Sequence, residues 1–357
     1  MALAPDLSNR TGSSQSEASG HIDAPELRLF VMALFFTFGG ITSLNDVIIP
    51  KLKELFTLDH MQAMFVQTAF FAAYAIIGLP GAAVVKKVGY MRGAVVGLLL
   101  MMTGCILFIP ASQSATFGVF LFALFVLASG VTIVQVVTNP LISLLGPPQS
   151  AHSRLTFAQA FNSLGTVVFP FVGGRLILGS LAHTSAAQLS GAQLEAYRIA
   201  ETATVMRTYA GLAVALAIVA AVVWFNRNRL KGERHEHSSI LAGFALLSRL
   251  RFAWGAACIF LYVGAEVTIG SMIVNYVEEK SVLGASPETA GDFIPWYWGG
   301  ALVGRFLGSA VLARFSPGKV LTFNACGAIA LILLSANSGG VVAAYSLLAI
   351  GLMNSIM

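Results

Sequence analysis

The sequence is poor in charged residues and in cysteine. Of its 357 residues, 10% are Asp, Glu, Lys or Arg, against about 25% in an average soluble domain. Because 57% of the chain is hydrophobic, a soluble core could not bury this much apolar surface, and the composition indicates a membrane protein. The three cysteines lie far apart in apolar runs, so we predict neither a disulfide nor a cysteine-based metal site.

The chain also lacks the short motifs of common hydrolases and nucleotide-binding proteins. It contains no HExxH, P-loop or GxSxG sequence and offers no nucleophile paired with a base. His235 and His237 could bind a metal ion, but they lie in a charged, polar run with no further ligand nearby. We therefore predict no enzyme activity, no cofactor and no metal site.

What the chain does contain is a close succession of long apolar runs. A membrane-spanning helix needs about 20 predominantly apolar residues, and ten such runs can be counted. The predicted fold is therefore an all-α membrane protein, a polytopic helical bundle. The predicted spans cover residues 28–50, 61–84, 92–111, 116–144, 153–179, 203–226, 251–277, 289–313, 319–336 and 340–357.

The spacing of these runs predicts two halves. Residues 1–26 have no apolar run and are predicted to be a disordered cytoplasmic tail rather than a signal peptide. Residues 27–226 hold six spans, an N-terminal six-helix bundle, and 227–250 form a polar cytoplasmic linker with an amphipathic segment. The second bundle, 251–357, ends in an apolar run without a polar flank, so we expect it to be truncated in its fourth helix.

The basic residues predict the orientation in the membrane. Most of the 21 Lys and Arg residues fall in segments that are cytoplasmic if the N-terminus is inside, as the positive-inside rule requires. They are not gathered into a nucleic-acid-binding patch. Residues 80–108 and 308–335 share an order of small residues, basic loop and second small-residue helix, an internal repeat typical of transporters. We predict a multi-pass monomer of the cell inner membrane with a cytoplasmic N-terminus.

Two acidic residues, Asp46 and Glu266, lie inside predicted spans, and each is the only acid of its span. Ionisable residues within a membrane are costly and mark substrate or ion pathways, and desolvation favours their neutral form. We predict that both residues bind and release protons. For Asp46 one alternative stays open, in which the acid lies at a wetted helix end close to Lys51 and Lys53.

Carboxamide side chains mark neighbouring spans. Gln135 and Asn139 are four residues apart, and Gln159 and Asn162 are three apart, so each pair shares a helix face. Carboxamides donate and accept hydrogen bonds, which suits a neutral ligand rich in hydroxyl groups, and Asn45 of the first span extends the set. The alternative is that these amides only bridge helices.

Aromatic residues near the second acid could stack on a sugar ring. Tyr262 lies one turn before Glu266, and Trp296 belongs to the aromatic run that opens the eighth span, although Trp and Tyr also form interfacial belts. Gly270, one turn after Glu266, should leave room beside the acid. Arg305 lies deeper in the eighth span and could neutralise an acid or extend to the inner loop.

Five segments, in this order along the chain, carry a resemblance to a known family. They are LNDVIIPKLKELFTL, VTNPLISLLGP, RLTFAQAFNSLGT, YVGAEVTIGSMIVNY and YWGGALVGRFLGS. Together they resemble the glucose/galactose transporter group, in the fucose–proton symporter branch of the major facilitator superfamily. The resemblance implies two pseudo-symmetric halves with twelve spans, of which about ten are present here, alternating access, and proton-coupled uptake of a hexose.

The resemblance also implies residue roles and departures from the family pattern. Asp46 matches a functionally important acid of the fucose symporters, whereas Gln135 stands where those proteins have a second acid. Glu266 stands where they have a neutral Gln, as in the glucose/galactose pattern, and Ser43 replaces an Asn. In the loop GAAVVKKVGYMRG, Lys86 occupies the acidic position of the superfamily signature.

The sequence therefore predicts a proton-coupled hexose symporter of the glucose/galactose type. Its expected partners are a small-molecule sugar, protons and the lipid bilayer, with no nucleic acid. The alternatives are an uncoupled or Na⁺-coupled sugar carrier of the same fold and a non-transporting membrane sugar receptor. The predicted proton-coupling residues are Asp46 and Glu266, and the predicted sugar-binding residues are Asn45, Gln135, Asn139, Gln159, Asn162, Tyr262 and Trp296.

Overall fold

The computed structural model describes residues 26–114, 116–177, 190–230 and 244–356. Within these ranges the regular secondary structure is entirely helical. The ten long helices are α1 Glu26–Leu55, α2 His60–Val88, α3 Tyr90–Ser114, α4 Phe117–Leu144, α5 Ala151–Ile177, α6 Gly191–Phe225, α7 Leu250–Glu278, α8 Phe293–Leu312, α9 Pro317–Asn337 and α10 Gly340–Met353. A short helix, Pro287–Gly291, precedes α8, and a 3-10 turn, Asn354–Ile356, follows α10.

Each of the ten predicted spans corresponds to one of these helices, and the predicted all-α membrane fold is confirmed. Eight of the helices are long and apolar enough to cross a membrane. The helix α8 is not among them because Arg305, Pro295 and the aromatic run lower its mean hydropathy, and 340–356 is a shorter apolar helix.

The predicted tail and most of the predicted linker lie outside the described residues. The description of the tail begins at Glu26, the first residue of α1. Residues 231–243 of the linker, which include His235 and His237, are not described. The buried apolar side chains form two main clusters, one drawn from residues 27–230 and the other from residues 273–350. The division into two bundles stays a prediction.

Close helix packing in the first half places α1 directly against α5. A Cβ atom added to Gly165 would lie 2.2 Å from the backbone oxygen of Phe36, and one added to Gly40 would lie 2.2 Å from the ring of Phe169. Only glycine leaves space for the two backbones at this separation. The amide-bearing face of α5 is thereby held next to α1.

Helices α5 and α8 join residues from the two predicted halves. The Ser153 hydroxyl donates to the backbone oxygen of Ser309 at 2.7 Å. The Phe306 ring lies 5.8 Å from the ring of Phe157 and 6.2 Å from that of Phe161, both edge-on. We call these five residues the α5–α8 seam. The seam lies at the first turns of α5 and the last turns of α8, the ends that the charge distribution predicts to be cytoplasmic.

Candidate functional site

The predicted amides of α4 and α5 meet in the structure. Gln159 Nε2 donates to Asn139 Oδ1 at 3.3 Å. The predicted amide pair of α5 is thereby in contact with the predicted amide pair of α4. Asn162 Nδ2 lies 3.5 Å from the backbone oxygen of Phe35 on α1, the upper limit of a hydrogen bond. All three side chains are partly exposed, so they can still contact a ligand.

Gln135 belongs to a different polar cluster. Its Nε2 donates to the hydroxyl of Tyr74 on α2 at 3.1 Å, and Tyr74 also interacts with the hydroxyl of Thr42 on α1. This cluster connects α1, α2 and α4. Gln135 and Asn139 lie on one helix, as predicted, but they contact different neighbouring helices. Gln135 contacts α2, whereas Asn139 contacts α5.

Asn45 faces α2, where its Nδ2 donates to Gln67 Oε1 at 3.1 Å. The residue is 3% exposed, and its Oδ1 is buried with no hydrogen-bond partner among the described residues. A buried acceptor that lacks a donor is costly. A ligand hydroxyl reaching this depth would satisfy it.

Asp46 lies on α1, one residue further, and its side chain is outside the described part of the structure. Lys51, five residues further along α1, is fully buried and forms an ion pair with Glu201 of α6. Arg198 Nε, one turn before Glu201, donates to the backbone oxygen of Leu55 at 2.8 Å. The polar end of α1 is thus joined to α6 by two basic side chains.

Glu266 lies in the second half, on α7, with 12% of its side chain exposed. Its Oε1 is 3.8 Å from Nη2 of Arg305 on α8 and has no hydrogen-bond partner in the part of the chain that the structure describes. Nη1 of Arg305 donates to the hydroxyl of Ser163 on α5. Arg305 therefore contacts both predicted halves, and Glu266 is only partly neutralised by it.

A hydrogen-bond network surrounds the second acid. The Tyr262 hydroxyl donates to the backbone oxygen of Asn354 at 2.9 Å, and Asn354 Nδ2 donates to the Tyr297 hydroxyl at 2.7 Å. Both tyrosines also interact electrostatically with Glu266. The predicted residue Tyr262 therefore belongs to the environment of the acid, linked to the end of α10.

The two predicted aromatic residues differ in their surroundings, since Tyr262 interacts with Glu266 whereas Trp296 lies at the surface. Trp296 is 69% exposed. A Cβ atom at Gly270 would lie 2.8 Å from the ring of Trp298, so the indole of Trp298 packs directly against this glycine. Trp298 also packs edge-on against Tyr297, with ring centroids 5.2 Å apart. The expectation that Gly270 leaves room beside Glu266 stays a prediction.

Several residues of these clusters were not predicted from the sequence. Ser163 directly follows Asn162, and Asn354 directly precedes Ser355; Ser and Asn side chains often bond to their own backbone, so these residue types alone give no distinct signal of a tertiary partner. Tyr74 and Gln67 are separated by seven residues on α2, and this two-turn spacing on one helix face could have indicated a polar stripe. Within the described ranges, no three His, Cys, Asp or Glu side chains are grouped to hold a metal ion.

Comparison with known proteins places this arrangement in a family. The sequence model of the Major Facilitator Superfamily matches residues 30–357. The chain belongs to the major facilitator superfamily. It is therefore a multi-pass membrane protein of a transporter family and not an enzyme.

Members of the superfamily with similar sequences are named as sugar carriers. The chain is 44% identical over 325 residues to a glucose/galactose transporter of Brucella abortus biovar 1, covering 91% of this chain and 76% of that protein. It is 32% identical over 348 residues to the L-fucose-proton symporter of Escherichia coli K12, covering 94% and 79%. The predicted resemblance is confirmed.

A solved structure of the superfamily has the same fold. The crystal structure of the transporter FucP in the outward conformation matches with a TM-score of 0.83 at 32% identity. The match covers 92% of this chain and 81% of FucP. The proton:xylose symporter XylE, at 16% identity and a TM-score of 0.62, shares the fold alone.

Proposed function

We propose that this protein is a proton-coupled hexose symporter, selective for glucose- or galactose-like sugars, that works by alternating access as a monomer in the cell inner membrane. The observation that carries the proposal is the carboxylate of Glu266, whose buried Oε1 has no hydrogen-bond partner within the described ranges and lies at the contact between α7, α8 and α5. A carboxylate at membrane depth is a proton-coupling or ligand-binding group by default. The names of the similar carriers support a sugar as substrate.

The proposed sugar site lies between the amides of the first half and the polar network of the second. Asn139, Gln159 and Asn162 would donate to and accept from sugar hydroxyls. Gln135 and Asn45 extend this surface along α4 and α1, and Tyr262 borders it from α7. Trp296 stays a sugar-binding prediction, and the position of Trp298 beside Gly270 makes its ring a second stacking candidate.

The proposed coupling step is protonation of Glu266, with Asp46 as the second titrating acid. When the acids carry protons, the loaded carrier can reorient without moving their negative charges through the low-dielectric core. The distribution of basic residues supports a cytoplasmic N-terminus. In that orientation the α5–α8 seam closes the cytoplasmic side, in agreement with the outward conformation of FucP.

The proposal is tested by measuring proton movement and sugar movement together. Proteoliposomes containing the protein should take up protons when glucose or galactose is added outside, and should accumulate unmodified sugar when an inward proton gradient is imposed. Sugar uptake without proton uptake indicates an uncoupled carrier, and accumulation driven only by a Na⁺ gradient indicates Na⁺ coupling. Sugar binding without flux indicates a receptor.

One substitution tests the sugar-binding role of the amides. Gln159→Ala should raise the KM for the hexose by about tenfold, because losing a hydrogen bond to a buried hydroxyl costs about 1.4 kcal/mol. The maximal rate should change little, since the substituted group binds sugar and does not titrate. Gln113→Ala is the matched control, because Gln113 is exposed near the end of α3. An unchanged KM in Gln159→Ala would exclude the amide from the site.

A further inference from the structure

Arg305 contacts a hydroxyl on one neighbouring helix and a carboxylate on another. Its Nη1 donates to the Ser163 hydroxyl on α5, and its Nη2 lies 3.8 Å from Glu266 Oε1 on α7. The first contact is a hydrogen bond, whereas the second is a charge interaction too long for one. Ser163 is therefore the hydrogen-bond partner of the guanidinium in this conformation, although the carboxylate would be the stronger partner.

Among the groups that surround Glu266, Arg305 is the cation that acts on the carboxylate. Titratable or charged groups face the carboxylate from two helices: Arg305 and Tyr297 from α8, and Tyr262 from α7 itself. The turn after α10 presents the neutral side chain of Asn354, and α5 presents the neutral Ser163. The ionised form of Glu266 is therefore stabilised chiefly to the extent that Arg305 approaches it.

The position of Ser163 makes this approach depend on the conformation of the transporter. Ser163 follows the α5–α8 seam, in which Ser153, Phe157 and Phe161 of the same helix contact α8. Opening of the cytoplasmic side requires α5 and α8 to separate along this line. Separation removes the hydroxyl from Arg305 Nη1 and leaves Glu266 as the nearest acceptor for the guanidinium.

We propose that Ser163 and Glu266 compete for Arg305, so that separation of α5 from α8 moves the guanidinium onto Glu266 and expels its proton to the cytoplasmic side. The carboxylic acid becomes a carboxylate, the proton passes to water in the opened cavity, and Arg305 keeps its charge throughout. In the closed arrangement Ser163 holds the guanidinium back, and Glu266 can be protonated from the outside. Ser163 and Arg305 are positioning residues in this scheme, which rests on the proposed proton symport.

Two substitutions should shift the pH dependence of uptake in opposite directions. In Ser163→Ala the guanidinium is free to pair with Glu266 while the seam is closed, so the midpoint of sugar uptake against external pH should move about one unit towards acid. In Arg305→Gln the carboxylate loses its cation, so the midpoint should move by a similar amount towards alkali. A purely structural role for either residue would lower the rate without moving the midpoint.

The measurement uses proteoliposomes with the membrane potential held constant, and thermal unfolding in detergent checks that each variant is folded. Thr103→Val is the matched control for Ser163→Ala, because the Thr103 hydroxyl is exposed and bonds to its own helix. An unmoved midpoint in folded Ser163→Ala, or a movement of both midpoints in the same direction, would overturn the competition. Absence of sugar-dependent proton uptake by the unsubstituted protein would overturn the proposed symport instead.

Discussion

Replacing Glu266 by Gln is expected to abolish accumulation of sugar against its gradient while sugar exchange across the membrane continues. The amide has nearly the same shape as the carboxylic acid but cannot release a proton, so it resembles the loaded, protonated state. The driving force lost is about 2.3 kcal/mol per charge at 100 mV. Since about 1.4 kcal/mol corresponds to a factor of ten, steady-state accumulation should fall by well over tenfold.

Counterflow of labelled sugar distinguishes this loss of coupling from a loss of folding or binding. Glu266→Gln should retain counterflow, and Glu279→Gln should retain both activities, because Glu279 is exposed at the end of the same helix. Asp46→Asn provides the corresponding test of the acid on α1. If both Glu266→Gln and Asp46→Asn accumulate sugar as well as the unsubstituted protein, proton coupling by these acids is refuted.

Replacing Lys51 by Met should strongly destabilise the protein. Lys51 is 0% exposed and forms an ion pair with Glu201, whose side chain is 12% exposed. Removing the lysine leaves a nearly buried carboxylate without its counter-charge, and breaking a buried pair in this way costs about 3–5 kcal/mol. The midpoint of thermal unfolding in detergent should therefore fall.

A second substitution in the same ion pair should restore the lost stability. In Lys51→Met combined with Glu201→Leu no unpaired charge remains, so most of the lost stability should return, as replacement of buried ion pairs by apolar side chains is often neutral. Lys86→Met is the control for the loss of one positive charge, since Lys86 is exposed at the end of α2. Equal unfolding midpoints for Lys51→Met and Lys86→Met would show that the buried pair contributes nothing.

The helices could be predicted from the sequence because a long apolar run has few alternatives in a membrane. Their ends were less predictable. We expected the sixth span to begin at residue 203, but α6 begins at Gly191, because its polar first turns are fixed by tertiary partners. Glu201 pairs with Lys51, and Arg198 donates to Leu55. A hydropathy pattern contains no information about such tertiary contacts.

The candidate site was predictable by residue type but not by pairing. Spacing placed Gln159 and Asn162 on one face of α5 and identified Glu266 as an isolated acid. It could not indicate that Asn139 contacts Gln159 whereas Gln135 contacts Tyr74, because tertiary neighbours depend on how the helices are rotated against each other. The role proposed for Ser163 rests on its tertiary contact with Arg305, which spacing along α5 does not indicate.

The centre of the α5–α8 seam is built from phenylalanine rings and not from charge pairs. Any movement that parts Phe306 from Phe157 and Phe161 hydrates apolar surface, which raises the heat capacity of the opened form. The free energy of opening therefore curves with temperature, and cooling weakens the hydrophobic contribution that keeps the seam closed. Salt screens exposed charges, but the five residues of the seam are uncharged. The free energy of closing the seam should therefore depend far more on temperature than on ionic strength.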